Sequence, residues 1–476
     1  MPRRRPNILL IMSDEHNAGV TGCYGNRVVR TPNLDGLAAE GITFDAAYTN
    51  SPLCVPARLA FTAGKYVSRI AAWSNNCWLA SDEVPSIARV MAAAGYEPLL
   101  CGKMHYDGTR RYGFTEVGPN LNRSHKSGRG ARRAADDASI NTGNRDHRFG
   151  MFHLGTRSGI LDHDREVTTA ARDFLAARRP ADRPFFLVVG YLAPHFPLIV
   201  PKSYWLPYEG KVADPELPTG HVESQPLNYH HLRRGFGLVE TDPATVRRGR
   251  ELYYALTQWL DDEIGKLLAA LFEGRCGKDT IVIYTSDHGE NIGEHALWWK
   301  NCMYDHAARV PLIIRWPKRW KGPQRRGGVC SLLDLAQTVA ELGGGGCPDD
   351  WDGDSMCQWM EDSQAPWKDF AVSEYYGHNI ASGYAMLRAG RYKYVYHTPP
   401  DRDHPAEREL YDLAADPGEF TNLAAEAEHA RRIARMHTAL VTELGADPDE
   451  MELRCRADYR QGYGRPERPA RPTKGR

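Results

Sequence analysis

Residues Pro6–His16 read PNILLIMSDEH. Asn7 to Met12 is a continuous apolar run without alternation. In a strand that means burial on both faces, the mark of a parallel sheet covered by helices. The run ends in Ser13-Asp14-Glu15-His16. Ligands of such sheets gather outside the carboxyl ends of the strands. Asp14 therefore falls where a metal or substrate sits, although alone it reads equally as an acidic turn. TIVIYTSDHGENIGEH (Thr280–His295) repeats the pattern, a β-branched strand running into Asp287-His288 and then Gly289. Two strand ends that each deliver a carboxylate can bind one hard cation through oxygen, with His288 as an adjacent ligand.

Helical and strand signals alternate between and beyond these runs. Thr31–Gly41, Ser86–Gly95, Asp164–Arg179 and Ser331–Leu342 read as helices, the first two stopped by glycine. Val246–Glu273 carries an amphipathic stripe of Leu252, Leu256, Trp259, Leu260, Ile264, Leu267 and Leu271. Short buried strands fall before Lys103, at Pro184–Pro197 and at Val310–Trp316. This alternation predicts an α/β fold, with a large, mixed, mostly parallel sheet sandwiched by helices. Past about residue 365, FAVSEYY, YAMLRAGRYKYVYH and ELYDL read as antiparallel strands, with a final helix within Leu423–Leu444. The expected division is 1–365 for the catalytic α/β domain, 366–458 for a smaller C-terminal α+β domain with an antiparallel sheet, and 459–476 for an extended basic tail. Residues 119–150 interrupt the first domain as an irregular basic insertion that includes Arg123, Lys126, Arg129, Arg132, Arg133, Arg145 and Arg148. A solvated loop is the plain expectation; a lid or an oligomer contact near an anionic substrate is the sharper one.

The 476 residues and 42% hydrophobic content supply a large core, and 60 basic against 60 acidic residues leave no net charge. That argues against nucleic-acid or membrane partners. Ten cysteines are scattered without a C-x-x-C pair, as expected for a reducing compartment. MPRRRPNILLIM has basic residues before an apolar run, but the run is too short for a signal peptide and no small-residue cleavage site follows. A cytoplasmic location is expected.

Ser51–Gly64, SPLCVPARLAFTAG, carries the chemistry. Cys54, Pro56 and Arg58 form C-x-P-x-R. Proline suits a first helical turn, and residues four apart share a helix face, so Arg58 can lie over Cys54 at a helix N-terminus. Such a terminus favours negative charge and suits an anionic ester. The plain alternative is a buried structural cysteine with a surface arginine. GKMH places Lys103 and His105 after a strand, pointing the same way if the chain is extended. His195 follows the Pro184–Pro197 strand, and Lys300 follows Trp298-Trp299.

C-x-P-x-R, followed by L-x-x-x-x-G, resembles the sulfatase signature. PNILLIMSDEH, GKMH, APHFP, SDHGENIGEHALWWK, RVPLIIRWP and ELYDLAADPGEFTNL complete the likeness in order. The chain resembles the sulfatase family of the alkaline-phosphatase-like superfamily, nearest the choline-sulfatase and phosphonate monoester hydrolase branch. The resemblance implies a fold of that superfamily and oxidation of Cys54 to formylglycine by a formylglycine-generating enzyme. One hydroxyl of the hydrated aldehyde would attack sulfur or phosphorus. His195 and Lys300 would assist the leaving alcohol, His105 would release the sulfated hydrate, and Arg58 and Lys103 would neutralise charge. Asp14, Cys54, Asp287 and His288 would hold one divalent cation, Ca2+ rather than Mn2+. Glu15, where many relatives have Asp, Asn or Gln, would either coordinate or stand behind the ligands. The substrate would be a small aryl or alkyl sulfate, with phosphonate monoesters or phosphodiesters as the alternative. A catalytically dead binding protein is the rival from another class. Glu374, Tyr375 and Tyr376 offer a cage for a quaternary ammonium, but read more readily as a structural strand end. A homodimer or homotetramer is implied by the resemblance alone.

Overall fold

The computed structural model describes residues 5–118, 121–122, 147–179, 181–239 and 241–461. Its main sheet uses β1 (Asn7–Asp14), β2 (Ile42–Tyr48), β3 (Glu97–Gly102), β4 (Phe185–Pro194), β5 (Thr280–Ser286), β6 (Leu312–Arg315) and β7 (Gln324–Ser331). The order is β7-β2-β6-β5-β1-β4-β3, with two-residue strands at Arg309–Val310 and Thr115–Glu116. β3, β4, β1 and β5 run parallel, whereas β6 lies antiparallel between β5 and β2. The expected mostly parallel sheet is present.

The uninterrupted apolar run of β1 is explained by its two neighbours. Leu9 and Ile11 join one hydrophobic core, and Ile8, Leu10 and Met12 join the other. Successive side chains point to opposite faces, so both sets must be apolar. The first core lies under α4 (Gly159–Ala177) and the long helix α5 (Pro243–Glu273), whose expected leucine stripe is buried throughout. The second holds α2 (Cys54–Ala63), α3 (Ile87–Ala93) and α6 (Leu332–Leu342); α1 (Pro32–Ala39) packs on the first face.

The C-terminal strands β8 (Phe370–Tyr375), β9 (Tyr384–Ala389), β10 (Tyr392–His397) and β11 (Glu407–Asp412) form one antiparallel sheet in sequence order. It is tied to the loop before Cys54. Asn50 Nδ2 donates to Val372 O (2.9 Å), and Glu374 N donates to Asn50 O (3.0 Å). Helix α7 (Ala430–Leu444) follows as expected. A further helix, α8 (Pro448–Arg460), was not read from the sequence. It carries Tyr459 and Arg460, where an extended tail was expected to begin; residues 462–476 lie outside the described residues, as do most of 119–150.

Candidate active site

The carboxyl ends of β1, β3, β4 and β5 and the start of α2 meet at one place. Ser13 pairs with Ser286 in parallel register, so Asp14 and Asp287 leave neighbouring strands together. Glu15 N donates to Asp287 Oδ1 (3.2 Å). Glu15 takes φ 68, a left-handed conformation that strains a residue with a side chain and clusters at functional sites.

Cys54 is the first residue of α2 and 1% exposed. Its Sγ lies 3.7 Å from Asp14 Oδ1 and 3.3 Å from His288 Nε2. Donor atoms of Asp14, Cys54, Asp287 and His288 all fall within 4.8 Å of one another. Burial pushes the Cys54 thiol up to about 11; Lys300 and Arg58 pull it down while Asp287 and Glu15 push it up. A thiol with that pKa is almost wholly protonated at neutral pH, and thiols are poor nucleophiles compared with thiolates.

Arg58, one turn further on, locks the ligand strands together. Its Nε meets Asp287 Oδ2 at 2.7 Å, and its terminal nitrogens donate to Lys103 O (2.7 Å) and Ser13 O (3.2 Å). Lys103 forms an ion pair with Asp14. Burial works to raise the Asp287 carboxyl, but Arg58, then His288, Lys103 and Lys300 hold it at about 2. Burial lowers His288 to about 4. Its Nδ1 faces Gly289 O at 2.9 Å. A neutral ring donating from Nδ1 leaves the Nε2 lone pair toward Cys54 and the two carboxylates. Two carboxylates and a neutral imidazole, converging on one point, fit a divalent cation.

Geometry leaves Glu15 both roles, for with Asp14 and His195 it forms a second group of donor atoms that could hold a cation. Its Oε2 meets Lys300 Nζ at 3.0 Å and His195 Nε2 at 3.1 Å. It stands beside the four converging donors and joins the two residues expected to assist the leaving alcohol. Burial, then Lys300 and Lys103, lowers the His195 imidazole well below its usual value. Burial, then the adjacent Glu15, pushes the Glu290 carboxyl well above the usual range. Glu290 was missed in the sequence because it reads as one more acidic turn residue after Gly289.

Cys54, Arg58, Lys103, Asp14, Asp287 and His288 thus form one contact network, with His195 and Lys300 attached through Glu15. His105 follows Lys103 by two residues, half-buried. It takes φ 61, so the extended chain assumed for Lys103 and His105 is absent. Asn122 braces this turn, accepting from Met104 N (3.3 Å) and donating to Tyr106 O (3.4 Å).

Comparison with known proteins shows the family. A family model described as Sulfatase matches residues 6–345, and one described as N-sulphoglucosamine sulphohydrolase, C-terminal, matches 293–445. A choline-sulfatase of Rhizobium meliloti is 31% identical over 460 residues, covering 89% of this chain and 83% of its own. An arylsulfatase of Clostridium perfringens is 27% identical, covering 92% and 94%. The crystal structure of the phosphonate monoester hydrolase of Agrobacterium radiobacter superposes with a TM-score of 0.72 at 22% identity, covering 92% of this chain and 95% of that one. The chain belongs to the sulfatase family.

Proposed function

We propose that this enzyme hydrolyses aryl or alkyl sulfate esters with Cys54 oxidised to formylglycine. The observation that carries the reading is the convergence of Asp14, Asp287 and His288 on residue 54 at a helix N-terminus. Asp14, Asp287, His288 and residue 54 would hold one divalent cation, Ca2+ in preference to Mn2+, which supplies Lewis acidity and offsets the charge of the ester. The aldehyde at position 54 hydrates to a geminal diol. One hydroxyl, its proton released to solvent once the cation lowers its pKa, would attack the ester sulfur as the S–O bond to the alcohol breaks. His195 and Lys300, both held by Glu15, would serve the leaving alcohol, with Lys300 as the proton donor. His105 then takes the proton of the second hydroxyl, the carbon–oxygen bond to sulfate breaks, and the aldehyde returns. Arg58 and Lys103 balance the carboxylates and the developing negative charge.

The test is the mass of the proteolytic peptide containing Cys54, from chain produced with a formylglycine-generating enzyme. An aldehyde at residue 54 together with turnover of 4-nitrophenyl sulfate supports the reading; full turnover with an unmodified thiol overturns it. A second reading, phosphonate monoester or phosphodiester hydrolysis on the same site, is favoured by the fold shared with a phosphonate monoester hydrolase. A higher kcat/KM for phenylphosphonate esters than for aryl sulfates would establish it. Among the described residues no disulfide forms, and no helix is long and apolar enough to cross a membrane. A cytoplasmic location is part of the same proposal, and so is a homodimer or homotetramer.

A further inference from the structure

Glu15 sits in the left-handed region, at φ 68. A residue with a side chain stays there only where its surroundings hold it. Both of its peptide flanks are held. Its N–H donates to Asp287 Oδ1 (3.2 Å), and its carbonyl accepts from Tyr253 Oη (2.6 Å). The same hydroxyl accepts from Asn17 N (2.9 Å). One phenol thus closes the turn after Asp14, joining the carbonyl before His16 to the N–H after it. Asn17 in turn donates from Nδ2 to Glu290 O (2.9 Å). Tyr253 comes from α5, is 0% exposed and belongs to the first hydrophobic core.

What this turn fixes is the direction of one side chain. Glu15 Oε2 meets Lys300 Nζ at 3.0 Å and His195 Nε2 at 3.1 Å. Lys300 and His195 come from separate segments, and the carboxylate joins them. The Glu15 backbone therefore decides where both groups stand. Asp287 grips that backbone from within the converging donors, and Tyr253 grips it from the helix layer.

We infer that Tyr253 is a positioning residue: by holding the Glu15 carbonyl it keeps the strained turn that aims Glu15 at Lys300 and His195, and so governs proton delivery to the leaving alcohol. This rests on the sulfate-ester reading above. In Y253F the ring still fills its place, but the Glu15 carbonyl and the Asn17 N–H lose their partner. Glu15 then relaxes out of the left-handed region, and its carboxylate no longer fixes Lys300. The deficit grows with the need of the leaving oxygen for a proton, so phenoxide suffers more than 4-nitrophenoxide.

The experiment measures kcat/KM, which covers every step through loss of the alcohol, for phenyl sulfate and 4-nitrophenyl sulfate. It uses the matured full chain as wild type, Y253F, E15Q and the double variant. Y208F is the control. Tyr208 is also 0% exposed, and its hydroxyl accepts from Arg30 N (3.1 Å) and donates to Gln258 Oε1 (2.7 Å), partners outside the site. Y253F is expected to lower kcat/KM about ten-fold for phenyl sulfate and about two-fold for 4-nitrophenyl sulfate. Y208F should lose a comparable part of the thermal midpoint and keep both values within two-fold of wild type. Added to E15Q, Y253F should cost less than two-fold more, because both act through one carboxylate. Equal losses on the two esters, losses within two-fold on both, full additivity with E15Q, or the same losses in Y208F each overturn the role of Tyr253. Turnover of neither sulfate by wild type overturns the sulfate-ester reading alone. The same series then runs on the phenyl and 4-nitrophenyl esters of phenylphosphonate, whose alcohols make the same demand for a proton.

Discussion

Two buried charge networks lie a few residues apart along the chain and are built on opposite plans. Around Lys393, which is 0% exposed, every donor is answered: Nζ meets Met303 O at 2.8 Å and Asp305 Oδ1 and Glu419 Oε1 at 2.5 Å each. Tyr48 Oη donates to Asp305 (2.8 Å) and Asp305 N to Glu419 (2.6 Å). Around Cys54 the acids and bases also pair, yet Asp14, Asp287 and His288 keep donor atoms turned to a common point. The first network is closed and fixes the loop after Lys300. The second is left open toward a ligand. Burial alone therefore does not distinguish structural from reactive charge; convergence of donors without mutual satisfaction does.

The harshest way to break the comparison is at the open network. Cys54→Ala should lower kcat by about 10^4-fold or more while the thermal midpoint stays within a few degrees. Chelation should come next, removing turnover by about 10^3-fold; added Ca2+ should restore it, with Mn2+ second, and each should raise the thermal midpoint in a saturable manner. In the closed network, Lys393→Met should cost about 3 kcal/mol in urea unfolding, because it leaves the buried Glu419 carboxyl without its cation. Activity per folded molecule should survive far better than in Cys54→Ala.

Glu374 sharpens the contrast as a buried carboxyl met by donors that are all uncharged, Ser68 N (3.1 Å) and Tyr376 Oη (3.3 Å). Burial raises it from 4.5 to about 7. The folded chain keeps this proton up to about pH 7, whereas the unfolded chain loses it near 4.5. Stability therefore falls as pH rises through that window. Glu374→Gln should leave stability unchanged at pH 4 and raise it by about 2 kcal/mol at pH 8, as read from urea unfolding. The smallest effect is expected from Glu15→Gln, about ten-fold in kcat with a shifted pH profile and little change in KM, because Glu15 positions His195 and Lys300.

The fold was legible where burial left no choice. The unbroken apolar run of β1 and the long stripe of α5 required two covered faces, and both cores are there. The metal-type cluster was legible for the same reason, since acids at strand ends stand out against such runs. What lay hidden depended on partners remote in sequence. A glutamate after Asp14 reads the same whether it coordinates a cation or pairs with Lys300, 285 residues on. Tyr253 gave no sign of its hold on Glu15, because the two lie 238 residues apart. Helix α8 did carry a start signal, Asp447-Pro448. It was passed over because its remaining sequence is largely polar.

Cys54 ends up buried at the start of α2, and the His288 beside it is encoded 234 residues later. At roughly 5–20 residues per second of synthesis, its codon is read about ten seconds or more before the sheet has all its strands. The proposed oxidation thus has a window set by the ribosome. An oxidising enzyme that arrives after β5 has paired with β1 meets a thiol it cannot reach, so the yield of active protein becomes a race between maturation and folding.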